Sequence, residues 1–376
     1  MMYCKAVTDQ STVRKFLEVP RMLYRNDPNW ICPLDDDIRA VFDPQRNNFF
    51  QHGVCNRWIL EDETGNPIGR IAAFVNNEKA GKNPQPTGGT GFFECPNDHD
   101  AARLLFDTAR DWLRAQGMEA MDGPVNFGEN DKYWGLLVEG FKPPSLGMNY
   151  NPPYYRELFE SYGFKKLYDQ YTNFLDAREP LPERFTKIAD WVMQKPEYSF
   201  RHFSKAKLEK FIADFCEIYN DAWSDFENFT PIVPATIRES FRQMRPVMDE
   251  KIIWFAYHRE EPIAFVVCLP DVNQLLRHVN GTLNLWGKLK FFWYKHVRKP
   301  DRLRIIVMGC KKRFQNHGIE SALIRCLQKE VLPRGTITGV ELAWVGDFNE
   351  KMLAIHAATG AKKDKVHRTY RYLFGS

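Results

Sequence analysis

The 376-residue chain sets 52 Lys and Arg against 48 Asp and Glu, a formal net charge of +4, and 44% of its residues are apolar. So even a balance does not by itself argue for the concentrated basic face of a nucleic-acid binder, and no DNA partner is expected. The apolar share, with ten Trp and 28 Phe, excludes a disordered chain, and the length leads us to expect two compact domains.

The eight Cys are scattered with no C-x-x-C pair, so neither a disulfide framework nor a metal site is expected. No run of about eighteen apolar residues occurs, and the opening "MMYCKAVTDQST" lacks the apolar segment of a secretory signal. A cytoplasmic chain is expected, with contact at the inner face of a membrane left open.

In chain order, "NRWILEDETGNPIGRIAAFV" predicts a hairpin turning at Gly65 and Asn66, and "GGTGFFEC" a strand. Residues 98–116 have strongly amphipathic helical spacing, "EAMDGPV" follows as a strand and "PPYYRELFESYGF" as a helix. The stretch "DAREPLPERF", with two prolines and mixed charge, reads as a linker. Beyond it the order recurs. "KIIWFAYHREEPIAFVVCLPD" predicts a hairpin turning at 259–262, "RLRIIVMGC" a strand and 319–332 a helix. "GVELAWVG" is a strand, 349–359 a helix and "AKKDKVHRTYRYLF" a closing strand pair. The helix-ending Gly163 and Gly360 lie 197 positions apart, close to the spacing of the hairpins, which points to tandem duplication. The expected fold is α/β, with domains over 1–177 and 178–376. A hydrophobic and basic insert at about 271–300 mixes Leu285, Trp286, Leu289, Phe292 and Trp293 with Lys288, Lys290, Lys295, His296 and Arg298. It suits a lid, a helix at a membrane surface or a core helix between the domains.

The strand ending "MGC", the amide-rich loop and the glycine opening a helix would present backbone N–H groups and a positive helix end to a diphosphate. "QNHGIE" resembles the Q/R-x-x-G-x-G/A loop of the GNAT superfamily of acyl-CoA-dependent N-acyltransferases. "NEKMLAIHAATGA" is similar to that family's fourth-helix signature, and "YYRELFESYGFKK" to the same element in the first half. The whole chain also resembles two-domain GNAT-like bacterial proteins through "LYRNDPNW", "GRIAAFVN", "GPVNFGENDKYWGLLVEGF", "YNPPYY" and "LPDVNQLL" with "NGTL". The resemblance implies two tandem GNAT-like domains, each a mixed twisted sheet flanked by helices.

For the second domain it implies acyl-CoA, acetyl or long-chain, as co-substrate. Met308, Gly309 and Cys310 would meet the pantetheine arm, and Arg313, Gln315, Asn316, His317, Gly318, Ile319 and Asn349 complete the cofactor site. Lys311 and Lys312 stand nearby as phosphate neutralisers. His356, where the family usually has Tyr, is the candidate proton donor to the leaving thiolate; an ordinary core or surface histidine is the bland alternative. Glu341 and Asp347 are candidate proton acceptors from the amine, and Glu341 equally suits plain strand alternation. In the first half Glu94, Asp98 and Asp100 stand where the phosphate loop should be, so that copy is expected to shape the acceptor site without CoA. Glu320, two residues past Gly318, either turns from the diphosphate or weakens its binding.

The activity implied is N-acyl transfer to a small-molecule or lipid amine, most sharply the lipid-amine acylation that gives ceramide-like products. A non-catalytic binding pair and an aminoacyl-tRNA-dependent transferase stay open as alternatives.

Overall fold

The computed structural model describes residues 2–82, 84–225, 229 and 231–375. The first half runs β1 (Tyr3–Ala6), α1 (Gln10–Leu23), α2 (Asp35–Val41), β2 (Gly53–Glu61), β3 (Pro67–Asn76), α3 (Asn77–Ala80), β4 (Thr87–Glu94), α4 (His99–Ala115), β5 (Ala120–Gly123), β6 (Leu136–Glu139), α5 (Tyr155–Tyr162) and β7 (Lys165–Asp176). The second runs α6 (Glu183–Met193), β8 (Tyr198–His202), α7 (Leu208–Trp223), α8 (Pro234–Met244), β9 (Ile253–His258), β10 (Glu261–Pro270), α9 (Asn273–Leu276), α10 (Leu285–Val297), β11 (Arg302–Cys310), α11 (Ile319–Val331), β12 (Gly339–Glu341), β13 (Val345–Gly346), α12 (Glu350–Ala358) and β14 (Lys362–Leu373).

Local chemistry accounts for the elements. Asp98 accepts from the Asp100 and Ala101 N–H groups and so starts α4. The helix then buries Ala101, Ala102, Leu105, Phe106, Ala109 and Leu113, spaced three or four apart. β3 and β10 are buried almost end to end, because helices cover both faces, so their residues read as continuous apolar runs. α11 buries Ile319, Ala322, Leu323, Leu327 and Val331 against the second-half strands, while α7 covers the opposite face with Phe211, Phe215 and Ile218.

Both halves contribute to one fourteen-stranded mixed sheet, twelve of its strands in the order β1-β2-β3-β4-β5-β14-β7-β12-β11-β10-β9-β8, with β6 on β14 and β13 on β7 off that path. The closing segment, expected as a strand pair, is a single twelve-residue strand, β14. Its partners come from the first half: β5 and β6 along part of its length and β7 along nearly all of it. β7, the last strand of the first half, in turn pairs with β12 and β13 of the second. The two halves thus exchange their final strands, and the seam between them is ordinary antiparallel ladder.

In each half a parallel pair opens after three residues. β4 and β5 pair only over Thr87–Gly89 and Ala120–Asp122; β11 and β12 pair only over Arg302–Arg304 and Gly339–Glu341. The expected strand "GVELAWVG" is accordingly broken, because past Glu341 the chain follows β7: Leu342 N–H donates to Asn173 O and Asp347 N–H to Asp169 O.

Because β14 belongs to both halves, we expect the chain to unfold in one transition, with urea midpoints from tryptophan fluorescence and far-ultraviolet circular dichroism coinciding. Two resolved transitions would contradict a shared seam.

Candidate active site

From Ile305 to Cys310, β11 pairs with β10 on one side and, among the described residues, with no strand on the other. Every second residue there turns its backbone N–H and C=O into an open wedge. Gly309 is needed in this strand. A Cβ on it would lie 2.6 Å from the Trp223 indole, which stacks on Tyr219 at 4.3 Å in an aromatic row that continues to Phe215 and Phe265. Met308 and Cys310 point to the α11 side.

The loop after β11 makes a short 3-10 turn at Lys312–Phe314 and enters α11 through Asn316 and Gly318, at φ 65° and 78°. The left-handed turn at Gly318 suits glycine, and a Cβ there would lie 2.9 Å from Ile188 of α6. No side chain caps α11, so the N–H groups of its first turn keep the partial positive charge of a helix start. The loop's cations are already matched. Lys311, 6% exposed, is held by Glu217 at 2.5 Å and Glu261 at 2.8 Å; Arg313 pairs with Glu261 and Lys312 with Asp225. Asp221 accepts from the Lys312 N–H, and Gln315 Nε2 donates to Cys310 O. His317 is exposed. Ile319 is wholly buried in the core, where truncation to Ala costs about 2–5 kcal/mol. Asn349 uses its side chain to cap α12, accepting from Met352 N–H at 3.2 Å.

Glu320 turns inward. Burial raises its pKa, its carboxyl meets its own backbone N–H, and the Cys310 thiol at the end of β11 faces it. The like-charge penalty toward a diphosphate is therefore softened, because burial favours the protonated acid.

The three candidate catalytic side chains all lean on the seam, but not on one face. Paired residues of antiparallel strands share a face. Val340 and Leu342 join the α11-side core, so Glu341 between them faces the α7 side. There Lys365, 1% exposed, reaches it at 3.1 Å and Arg304 at 3.4 Å. Burial alone would raise the Glu341 pKa; Lys365 and Arg304 outweigh it and hold the carboxyl below its ordinary value. His356 lies on the other face, buried, its Nδ1 accepting from Asn173 Nδ2 at 2.9 Å. That fixes the ring proton on Nε2, and burial pulls the pKa down to about 4. Asp347 accepts from Asp169 N–H at 3.1 Å and pairs with Lys166 at 3.0 Å.

Several residues of this site lie outside the motifs. Of the nine buried side-chain polar atoms without a hydrogen-bond partner among the described residues, six fall around Glu341: His367 Nδ1, Gln170 Nε2, Thr172 Oγ1 and Trp134 Nε1, together with Arg304 Nε and Glu341 Oε1, which face each other as the 3.4 Å ion pair. The register places Lys365 beside Thr172 and His367 beside Gln170. Arg304 lies over the Trp134 ring at 5.5 Å, and Trp134 sits 6.0 Å from His367. His367 Nε2 donates to Asn149 O at 2.9 Å, so Nδ1 is left as a bare acceptor, and burial lowers the pKa to about 4. First-half loops roof the cluster, as the aromatic and amide-rich segments around Trp134 and Asn149 allow; Trp344 Nε1 donates to Asn130 O at 3.3 Å. Alternate polar positions on β14, Lys365, His367 and Thr369, were the sequence signal for this cluster. On the opposite face of the sheet, under α11, an apolar slot of about 30 Å³ is lined by Leu175, Leu181, Ile305, Ile324, Leu327 and Val340.

The first-half opening is filled differently. Val125 N–H donates to Thr90 O, and Asp98 already occupies the α4 start. Glu94, buried, accepts from Tyr24 at 2.6 Å and Tyr155 at 2.9 Å and pairs with Arg70 at 3.3 Å. A cavity of about 60 Å³ remains beside them, with Tyr133 and Asn149 in its wall.

No protein-family profile matches the chain. It is 31% identical over 376 residues, 97% of this chain and 95% of the other, to the Caulobacter vibrioides protein named bacterial ceramide synthase. It is 26% identical over 367 residues, covering 96% and 93%, to Escherichia coli Protein YghO. Among solved structures, the tandem GNAT protein from the clavulanic acid biosynthesis pathway aligns over 100% of this chain and 99% of that one at a TM-score of 0.57 and 13% identity, a likeness of fold.

Two measurements check the electrostatics. Lys365→Met leaves Glu341 and Asp364 without their buried partner, and we expect a loss of about 3–5 kcal/mol in urea unfolding, with Lys365→Met/Glu341→Leu less destabilised than the single variant. An unchanged Lys365→Met midpoint would contradict the ion pair. The neutral forms of His356 and His367 are favoured by folding, so their contribution is full above the unfolded pKa of about 6.5 and is lost as pH falls toward about 4. The loss approaches a factor of ten in stability per imidazole per pH unit, and His367→Gln should remove one proton from the slope; a midpoint flat from about pH 7 to 5 would contradict it.

Proposed function

The chain belongs to the GNAT superfamily of N-acyltransferases as a tandem member, and on that premise we propose that it transfers a long acyl group from acyl-CoA to a lipid amine. The observation that carries this reading is the β11–β12 wedge. It joins an unpaired strand edge, an uncapped helix start and a buried polar cluster with unmet hydrogen bonds.

The residues fit acyl-CoA unevenly. Backbone groups of Met308, Gly309 and Cys310 suit the amide-bearing arm, and the first-turn N–H groups after Gly318 suit the diphosphate. Lys311, Lys312 and Arg313 add little positive field, being paired with Glu261, Glu217 and Asp225. When bound, acyl-CoA supplies the activated acyl thioester. The chain's own groups then divide by face. On the α7 side His367 Nδ1, neutral and unpaired, is the acceptor for the amine proton, while Glu341, charge-matched by Lys365 and Arg304, orients the amine. The proton that His367 takes from the amine is the one returned to the departing sulfur; His356, neutral with its single ring proton on Nε2 and on the α11 side, does not supply it. Asp347 lies one strand over, tied to Lys166, and fixes β13 against β7.

The lipid acceptor draws support from the relative named bacterial ceramide synthase, since ceramide is a long-chain amino alcohol acylated on nitrogen. One observation favours a second reading, a non-catalytic binding pair: the neutralised loop with Glu320 turned into it.

Isothermal titration with acetyl-CoA and palmitoyl-CoA separates the two readings. We expect palmitoyl-CoA to bind, and no binding of either at roughly millimolar ligand would sink the transferase reading. Affinity should fall as pH rises through the raised Glu320 pKa, because the carboxylate forms beside the diphosphate, and Glu320→Gln should hold the high-affinity value throughout. Identical pH profiles would remove Glu320 from the site. His367→Gln should lower kcat by about 10²-fold or more with little change in KM, whereas a few-fold loss would deny it the proton.

A further inference from the structure

α10 is apolar on two opposite sides. Gly287 and Phe291 are buried, Phe291 joining Val272, Leu275, Leu276 and Val279 in a small core; Tyr294 packs against that core and stacks on His278 at 3.7 Å. At about 100° per residue, Leu285, Trp286, Leu289, Phe292, Trp293 and Val297 share one arc facing away from that core. They are 73%, 72%, 53%, 47%, 67% and 60% exposed. An ordinary surface helix turns apolar residues inward and polar residues outward. Here the outward face would leave on the order of several hundred Å² of hydrocarbon in water, which soluble surfaces rarely tolerate unless it is covered.

The charge around this face names the cover. Residues 272–300 contain no Asp or Glu, yet they carry Arg277, Lys288, Lys290, Lys295, Arg298 and Lys299. Lys288 and Lys290 flank the apolar arc and are exposed, as are Arg298 and Lys299 at its end. A hydrocarbon face with two indoles, rimmed by cations on long flexible stems, matches the layering of an anionic bilayer, with acyl chains below and phosphates at the rim. No helix among the described residues is long and apolar enough to cross a membrane.

We propose that α10 seats this chain on the surface of an anionic lipid bilayer, its six-residue apolar face in the acyl boundary and its lysines and arginines at the headgroups. The proposal stands on this surface alone and does not rest on the acyl-transfer reading. The helix is tied into both halves at the same time: Asn273 Nδ2 donates to Pro144 O, Asp35 N–H to Gly281 O, and Leu34 packs against the core beneath α10. A docked α10 therefore fixes the orientation of the whole chain on the lipid.

Vesicle flotation of the full chain, with no CoA or amine present, tests this. We use phosphatidylcholine vesicles with and without about 30% phosphatidylglycerol in about 150 mM salt. Tenfold or greater enrichment on the anionic vesicles is expected. Trp286→Ser/Trp293→Ser should lose it with an unchanged far-ultraviolet spectrum and melting temperature. Lys288→Glu/Lys290→Glu/Lys299→Glu should lose the preference for anionic lipid. Absence of wild-type flotation with anionic vesicles would overturn the proposal, as would flotation that the tryptophan variant retains. A dimer in solution that the tryptophan variant dissociates, without vesicle binding by the wild type, would assign the face to a second copy instead.

Discussion

An ammonium that is 1% exposed constrains this molecule more than any other group. Lys365 reaches its place because β14 threads between β5 and β7, and it is tolerated there because Glu341 and Asp364 receive it at 3.1 and 2.9 Å. Desolvating such a charge is affordable only with close partners. The geometry of the site follows from it. Glu341 is the last residue of β12 still beside β11, and its pull toward Lys365 accompanies the departure of the chain along β7. The wedge along Ile305–Cys310 opens where that departure begins. Arg304, on the near lip, faces the same carboxylate at a looser 3.4 Å.

The two halves share a plan and diverge in how each treats its opening. At the start of α4 a carboxylate sits on the helix N–H groups, and behind it Glu94, Arg70, Tyr24 and Tyr155 are bonded to one another. At the start of α11 a glycine stands at the cap and supplies no side chain, and the Glu320 carboxyl meets one first-turn N–H, its own. One opening is thus closed by the chain's own anions, while the other retains donors for an outside one. The first half contributes a roof instead: Trp134 and the Asn149 carbonyl cover the polar cluster from above the seam.

What could be read from the sequence was what is locally determined. The hairpin at Asp62–Asn66 folds on its own side-chain hydrogen bonds, α4 and α11 follow their apolar spacing, and Asn349 caps α12 as an asparagine at a helix start does. The strand exchange was not legible, because Lys362–Leu373 pairs with segments roughly 200 residues away and a basic strand carries no mark of its neighbour. For the same reason Lys365 and His367 looked like an ordinary closing strand, although their alternate spacing was visible. Glu320 posed a question that sequence could not answer, since its burial depends on where Cys310 ends β11. The loop cations read as partners for phosphate, whereas their acidic partners Glu217, Asp225 and Glu261 come from α7, its C-terminal turn and the second-half hairpin. Those contacts exist only once the sheet has formed.

Hydrogen–deuterium exchange with and without palmitoyl-CoA tests the assignment of the acyl donor to the second-half wedge most directly. Slowed exchange at the amides of Val307–Cys310 and in the first turn of α11 is expected, with no change at the start of α4. Protection confined to the first-half opening, or absent from both, would contradict it.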